Sequence, residues 1–367
     1  MSNQKVSQFM LEAITLTKKP KINVSPNPFV GAVIVRNNKI IGKGSTRLYG
    51  GNHAEIIAIN SVKDKKKLDD ATLYSTLEPC VHFGKTPPCV DAIIKSGILR
   101  VVIAIIDPDK KVNGKGVKKL RSNLIDVKIG DGASIVRDEL KEYIFNRKNS
   151  RPYFSVKLAT SIDGKIATKN GDSKWLSNKK SRSEVHQFRK NVDAILIGSK
   201  TVMQDNPFLT ARNNDKLYKR QPVRIVIDSK GAVPLHSNIF NHQSKTLVIT
   251  TKFSSANWKK KIIEMNHDYI EIEAIDKQIN LIKFVEKMHD LGFIHILVEG
   301  GGKLVGALLR YQLINKVYFF ITPQIIGSGG SVNAVDGLSI NSMADTLKLR
   351  NTSYKLLKND ILVSGEI

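Results

Sequence analysis

His53-Ala54-Glu55, Pro79-Cys80 and Pro87-Pro88-Cys89 stand in one short stretch of the chain, so one imidazole, two thiols and a carboxylate must be brought to one point. That demand limits the fold. The spacing predicts that His53 and Glu55 open one helix and that Cys80 ends a strand-to-helix loop. Cys89 opens a second helix after Pro87-Pro88, since proline is favoured at a helix start. Two helix N-termini around the thiols would lower their pKa and favour metal binding. Alone, each residue reads as an ordinary helix-start histidine or buried thiol. Together they form a zinc ligand set. A structural zinc site has four protein ligands; with three, the fourth position is open to water, whose pKa the metal can lower to ~7. Glu55 is then a non-ligand carboxylate placed to move protons. His82, between the cysteines, is the competing fourth ligand.

The chain has 367 residues, enough for two to three domains that each bury a core without staples. Its only two cysteines both lie in the motif, which leaves no disulfide framework and points to a reducing, cytoplasmic compartment. The N-terminal stretch Met1 to Phe9 is polar, and no apolar run reaches the ~18 residues of a membrane span. A formal charge of +25 raises nucleic acid as a partner. The lysines are scattered, however, without an aromatic-interleaved basic stripe, so solvated surface is expected, with small anionic ligands the next use of the charge.

Strand and helix patterns alternate along both halves, an α/β class. In the first half strands are expected at Val33–Val35 and Ile40–Ile41 across an Asn37-Asn38 turn, and at Thr72–Thr76, Arg100–Ile106 and Ile125–Ile129. Helices are expected at His53–Val62, Cys89–Ser96 closed by Gly97, Gly116–Ser122 and Ser134–Phe145. The polar stretch Asn146–Arg151 is the expected linker, dividing the chain at 1–146 and 147–367. The second half then shows strands at Phe154–Leu158, Ala194–Gly198, Val223–Asp228, Thr246–Thr250, Ile294–Val298, Val317–Ile321 and Asp360–Ile367. Its helices include Lys179–Lys190, Ile279–Leu291 and Lys303–Tyr311.

No Gly-x-Gly-x-x-Gly follows the first strand of that half, so a Rossmann fingerprint is absent. Instead Ile296–Glu299 runs into Gly300-Gly301-Gly302 and a helix from Lys303, where bare backbone N–H groups can cradle a pyrophosphate; a plain tight turn is the alternative. Arg189 and Arg212 read either as solvated charges or as a bidentate phosphate grip. Trp175 reads as core or as a stacking platform. The loop from Val81 to Pro88 should arch over the metal site, with His82, Lys85 and Thr86 facing substrate; an exposed turn around Gly84 is the alternative.

The His-x-Glu and Pro-Cys pattern resembles the zinc deaminases, with one departure: eight residues, Val81 to Pro88, separate the thiols where the common signature has two. With Asn27-Pro28-Phe29-Val30-Gly31 upstream and Pro79 to Cys89 downstream, this half resembles the deaminase half of the bifunctional riboflavin-biosynthesis deaminase/reductases. Lys157 to Gly164, Ser173-Lys174-Trp175, Asp205 to Thr210 and Val298-Glu299-Gly300-Gly301 resemble the reductase half, so nearly the whole chain is covered. The resemblance implies a cytidine-deaminase-like three-layer domain followed by a dihydrofolate-reductase-like α/β domain. It implies zinc on His53, Cys80 and Cys89, with Glu55 as proton shuttle. NADPH is implied near Ala159, Trp175, Thr201, Asp205 and Ser229 and along Gly301, Gly302, Lys303, Leu304, Val305, Gly306 and Ala307. Substrate is implied near Ser173, Arg189, Leu209, Arg212 and Glu299. The reaction implied is hydrolysis of the amino group of a phosphoribosylated diaminopyrimidinone, then NADPH-dependent reduction of its ribosyl to a ribityl chain. Where the family carries a histidine before His-Ala-Glu, this chain has Thr46, so a substrate contact there is weakened or passes to Arg47.

Two rivals remain open at this stage. A base-editing deaminase would suit the charge and the zinc motif but leaves the second half without a task. A dead assembly subunit is at odds with an intact Glu55. The expected partner is a small phosphorylated pyrimidine, with no nucleic acid or membrane, in a homo-oligomer. The reductase proton donor is left between Asp205 and Glu299.

Overall fold

Ser7 accepts a hydrogen bond from the Met10 N–H and starts α1 (Gln8–Thr15), a helix the sequence reading missed. The computed structural model describes residues 6–18 and 24–367. Of the polar N-terminal stretch, Met1 to Lys5 lie outside the described residues. Asn37 and Asn38 both take left-handed backbone, with φ of 48° and 59°. They turn β1 (Gly31–Arg36) antiparallel onto β2 (Lys39–Ser45), as paired residues of positive φ do in a tight hairpin. There follow α2 (Ala54–Ser61), β3 (Thr72–Leu77), α3 (Cys89–Lys95), β4 (Arg100–Ile105), α4 (Lys115–Ser122), β5 (Asp126–Ile129), α5 (Ala133–Glu139) and α6 (Lys141–Asn149). The sheet order is β2-β1-β3-β4-β5, antiparallel at β1 and parallel from β3 to β5.

Two glycines show how the layers close on this sheet. A Cβ on Gly31 would meet the Ala13 carbonyl oxygen of α1 at 1.9 Å, and one on Gly44 would meet the Ala54 carbonyl oxygen of α2 at 2.1 Å. Gly44 pairs with Ala32, the neighbour of Gly31, so the two glycines face opposite sides of the sheet. Helices therefore cover both faces, giving three layers.

Two expectations need correcting. The Ser134–Phe145 helix is two helices, because the backbone leaves helical geometry at the buried Leu140 (φ −99°, ψ 15°). The expected linker is largely α6. Asn146 is buried, its amide donates to the Arg151 carbonyl, and the helix stops only at Ser150, in left-handed backbone.

The chain divides into two units, Met1–Arg151 and Pro152–Ile367. The second contains, in order, β6 (Tyr153–Ser161), β7 (Lys165–Ala167), α7 (Lys179–Arg189), β8 (Ala194–Gly198), α8 (Ser199–Asp205), β9 (Arg212–Asn213), β10 (Lys216–Leu217) and β11 (Val223–Ile227). It continues with β12 (Thr246–Thr250), α9 (Ala256–Glu264), β13 (Asp268–Glu271), β14 (Ala274–Ile275), β15 (Gln278–Ile279) and α10 (Leu281–Asp290). The last elements are β16 (His295–Val298), α11 (Gly302–Arg310), β17 (Ile314–Thr322), β18 (Val332–Asn333), β19 (Arg350–Leu357) and β20 (Asp360–Glu366).

Its nine-stranded sheet runs β13-β12-β11-β8-β16-β6-β17-β20-β19, parallel from β13 to β17 and antiparallel at the last two strands. The central parallel strand β8 is apolar without alternation because both its faces are covered: Ala194 and Leu196 join one core cluster, Ile195 and Ile197 another. Strand β13, α8 and α9 were missed from sequence. Edge strand β19 was missed because it is exposed at nearly every position and lacks an apolar pattern.

Candidate active sites

His53 stands at the N-cap of α2 and Cys89 is the first residue of α3, after Pro88. The His53 Nδ1 lies 3.5 Å from Cys80 Sγ and 3.3 Å from Cys89 Sγ. The Cys89 N–H donates to Cys80 Sγ at 3.4 Å, and the Val90 N–H to the Cys80 carbonyl at 3.2 Å, so the loop end and the helix start are tied together. Among the described residues this trio, with ligand atoms all within 4.8 Å, is the group able to hold a metal ion, and His82 is not part of it.

Electrostatics suit a cation there. A hydrogen bond from the Cys89 thiol, with His53 beside it, holds the Cys80 thiol down to about 4, while that same bond and burial push Cys89 up. The pair thus shares one readily lost proton. The Glu55 carboxyl, buried and 3.6 Å from Cys89 Sγ, is raised to about 7, first by burial and then by the charge of Cys80. A borderline nitrogen and two sulfurs, one already easily ionised, fit zinc.

Glu78 was not singled out from sequence. Its buried carboxylate accepts backbone N–H bonds from Asp107, Gly114 and Val117, at 3.2, 2.9 and 3.0 Å. It anchors the strand end immediately before Pro79-Cys80. A charged residue at the end of an apolar strand was the available signal. Thr46 is buried and turned inward, its hydroxyl accepting from the Val30 N–H at 3.1 Å, while Arg47 is exposed. In the loop between the cysteines, the Lys85 Nζ sits 4.2 Å over the Tyr49 ring.

In the second unit a cavity of about 1650 Å³ opens at the C-terminal ends of the parallel strands. Its wall brings together Ala159, Ser173, Trp175, Arg189, Thr201, Asp205, Leu209, Arg212, Ser229 and Glu299, with Gly301 to Leu304 and Ala307. Val305 and Gly306 are not on it. They are buried, and a Cβ on Gly306 would meet the Asp336 carbonyl oxygen at 1.8 Å, so that glycine admits a close backbone crossing. Trp175 is 70% exposed on the rim with the Arg182 guanidinium 4.5 Å over its ring, so the core alternative is excluded.

The Arg189 fork is committed to Glu299, Nε to Oε1 at 2.6 Å and one terminal nitrogen to Oε2 at 2.8 Å, with the other on the Thr210 carbonyl. Burial would raise Glu299, but this guanidinium holds it below the usual carboxylate range. Arg212 reaches the Thr210 hydroxyl and leaves much of its fork to the cavity. Lys157, quoted in the sequence motif without a role, lines the same wall. Burial lowers its pKa, while Glu299 and Asp205 pull the other way. A lysine inside an otherwise apolar strand was its signal.

Comparison with known proteins matches residues 3–105 to the cytidine and deoxycytidylate deaminase zinc-binding region and residues 152–363 to the RibD C-terminal domain. The riboflavin biosynthesis protein RibD of Aquifex aeolicus is 38% identical over 356 residues, which is 97% of this chain and 96% of that one. This chain belongs to the RibD family. RibD of Chlamydia pneumoniae is 36% identical over 98% of this chain and 95% of its own. Two solved RibD-type structures match nearly the whole chain. A deaminase/reductase of Thermotoga maritima gives a TM-score of 0.84 at 33% identity, covering 98% of this chain and 97% of that one. Acinetobacter baumannii RibD gives 0.86 at 28% identity, covering 98% of each. As a RibD-family member the chain is a bifunctional enzyme of riboflavin biosynthesis, a zinc-dependent deaminase followed by an NADPH-using reductase. The fold-class expectation and the family resemblance are both borne out.

Proposed function

We propose that the first unit, through His53, Cys80, Cys89 and Glu55, hydrolyses the ring amino group of a phosphoribosylated diaminopyrimidinone, and that the second reduces the ribosyl of the product to ribityl. The observation that carries this reading is the convergence of three metal-ligating atoms on a buried carboxyl poised near neutrality. Zinc, when bound, would polarise the attacking water. Glu55 takes a proton from that water and passes it to the departing amine, which leaves as ammonia. Its raised affinity for a proton suits both halves of the transfer. Lys85, Thr86 and His82 face the substrate from the loop between the cysteines.

NADPH would supply hydride in the second unit. Ala159, Trp175, Thr201, Asp205, Ser229 and the turn Gly301-Gly302-Lys303-Leu304 are read as its cradle, with Ala307 behind them. Arg212, Ser173 and Leu209 hold the phosphorylated substrate. Arg189 acts mainly by fixing Glu299. To the Asp205 and Glu299 alternatives for the proton donor the geometry adds Lys157, whose lowered pKa favours release of a proton. Val305 and Gly306 serve the packing of α11.

A coupled assay with zinc, NADPH and the diaminopyrimidinone substrate tests the whole reading. Ammonia should appear first and NADPH oxidation only afterwards; NADPH consumption without prior ammonia release would sink it.

The partner is read as a small metabolite in the cytoplasm, with neither nucleic acid nor membrane. Among the described residues no helix is long and apolar enough to cross a membrane. A homo-oligomer is favoured by the paired Leu356 and Ile361 with Tyr354, apolar and 69%, 43% and 71% exposed on adjacent strands. Leu356→Lys should lower the mass seen in sedimentation, and an unchanged mass removes that face.

A further inference from the structure

We propose that Lys200 and Lys230 form the anion seat that selects NADPH over NADH, by gripping the 2′-phosphate of the adenosine ribose. This rests on reading the second unit's cavity as the dinucleotide site. The order of strands fixes the direction in which the cofactor must run. Lys157 and Ala159 on β6 mark the reactive end, and the glycine turn after β16 is the place for the pyrophosphate. Beyond β16 come β8 and then β11. Neighbouring strands lie about 4.8 Å apart, so the end of β11 is roughly 10 Å past that turn, about the reach of an adenosine ribose.

Three observations put cationic groups there. Gly198 and Ile227 are register partners, so the residues just beyond them, Lys200 and Ser229-Lys230, leave adjacent strand ends side by side. A Cβ on Gly300 would come within 3.0 Å of Thr201 Oγ1, so the start of α8 abuts the glycine turn. Both lysines line the cavity, are exposed, and among the described residues make no ion pair.

In many dinucleotide sites an acidic side chain at such a strand end binds the ribose hydroxyls and would repel a phosphate. Here that residue, Asp228, is 1% exposed, and its Oδ2 accepts from the Val233 N–H at 2.8 Å, closing its own turn. At these two strand ends stand two ammonium groups beside Ser229.

The test is calorimetric titration of the full chain, wild type and Lys200→Ala/Lys230→Ala, with NADP+, NAD+, adenosine 2′,5′-bisphosphate and 5′-AMP. Loss of two charge-assisted contacts should weaken NADP+ and the bisphosphate by about 10- to 100-fold and leave NAD+ and 5′-AMP within about twofold. Lys230→Arg should keep the preference for NADP+. Equal weakening of NADP+ and NAD+, or no weakening of either, overturns the assignment while leaving the cavity as cofactor site. A wild-type chain that binds neither dinucleotide removes the cavity reading, and this proposal with it.

Discussion

On the proposed reading Glu55 is the residue on which the first reaction turns, because a carboxyl group shut away beside ionisable sulfur can hold a proton near neutrality and still surrender it. Its amide analogue keeps shape and loses that capacity. Glu55→Gln should retain about one zinc per chain by metal analysis while ammonia release falls by roughly 100-fold or more. A variant deaminating near the wild-type rate would remove the proton-shuttle role. The motif residues were legible in the chain because metal ligation demands particular atom types at constrained spacing. Glu78 and Lys157 offered only a charge set in an apolar strand, and their roles come from their surroundings: three backbone N–H groups around the one, and the Glu299–Arg189 pair beside the other.

At the scale of elements, α11 is held by a backbone crossing that no helix propensity would suggest. Alanine is the better helix former by about 1 kcal/mol, yet Gly306→Ala places a methyl against the Asp336 carbonyl. The variant should lose about 1–3 kcal/mol in denaturant unfolding, and a gain in stability would remove the close-crossing account. Asp107, at the end of β4, gives the first unit a pH-dependent element. Its carboxyl accepts from the Asp109 N–H at 2.9 Å and the Tyr143 hydroxyl at 3.0 Å, and burial raises it from 3.8 to about 6.

A folded-state pKa above the unfolded one contributes stability that is complete below 3.8 and is lost as pH rises through about 6. Asp107→Asn removes that loss. Measured in chelator, its stability relative to the parent chain should rise between about pH 4 and pH 7.5, by at most about 3 kcal/mol. A difference independent of pH would show that Asp107 does not titrate as its burial requires. Most strands and helices were readable from apolar runs and caps; β19 and the true extent of α6 were not, because their periodicity is weak and tertiary contacts decide them.

For the whole molecule, the proposed reading gives the two chemistries to separate units with separate side-chain sets. Zinc chelation should therefore abolish ammonia release while NADPH oxidation on the already deaminated substrate continues at near its original rate. Loss of both would mean that the metal also supports the reductase.

The order of the two halves, the ligand types and the α/β class follow from the chain itself, because they depend on residue identity and local periodicity. The fold alone decided that Arg189 is spent on Glu299, that Trp175 stands at a rim, and that Gly306 packs against backbone and lies off the cavity wall. Those outcomes depend on which distant segments meet, and burial, which sets both the proton affinities and the free hydrogen-bonding groups, exists only once they have met.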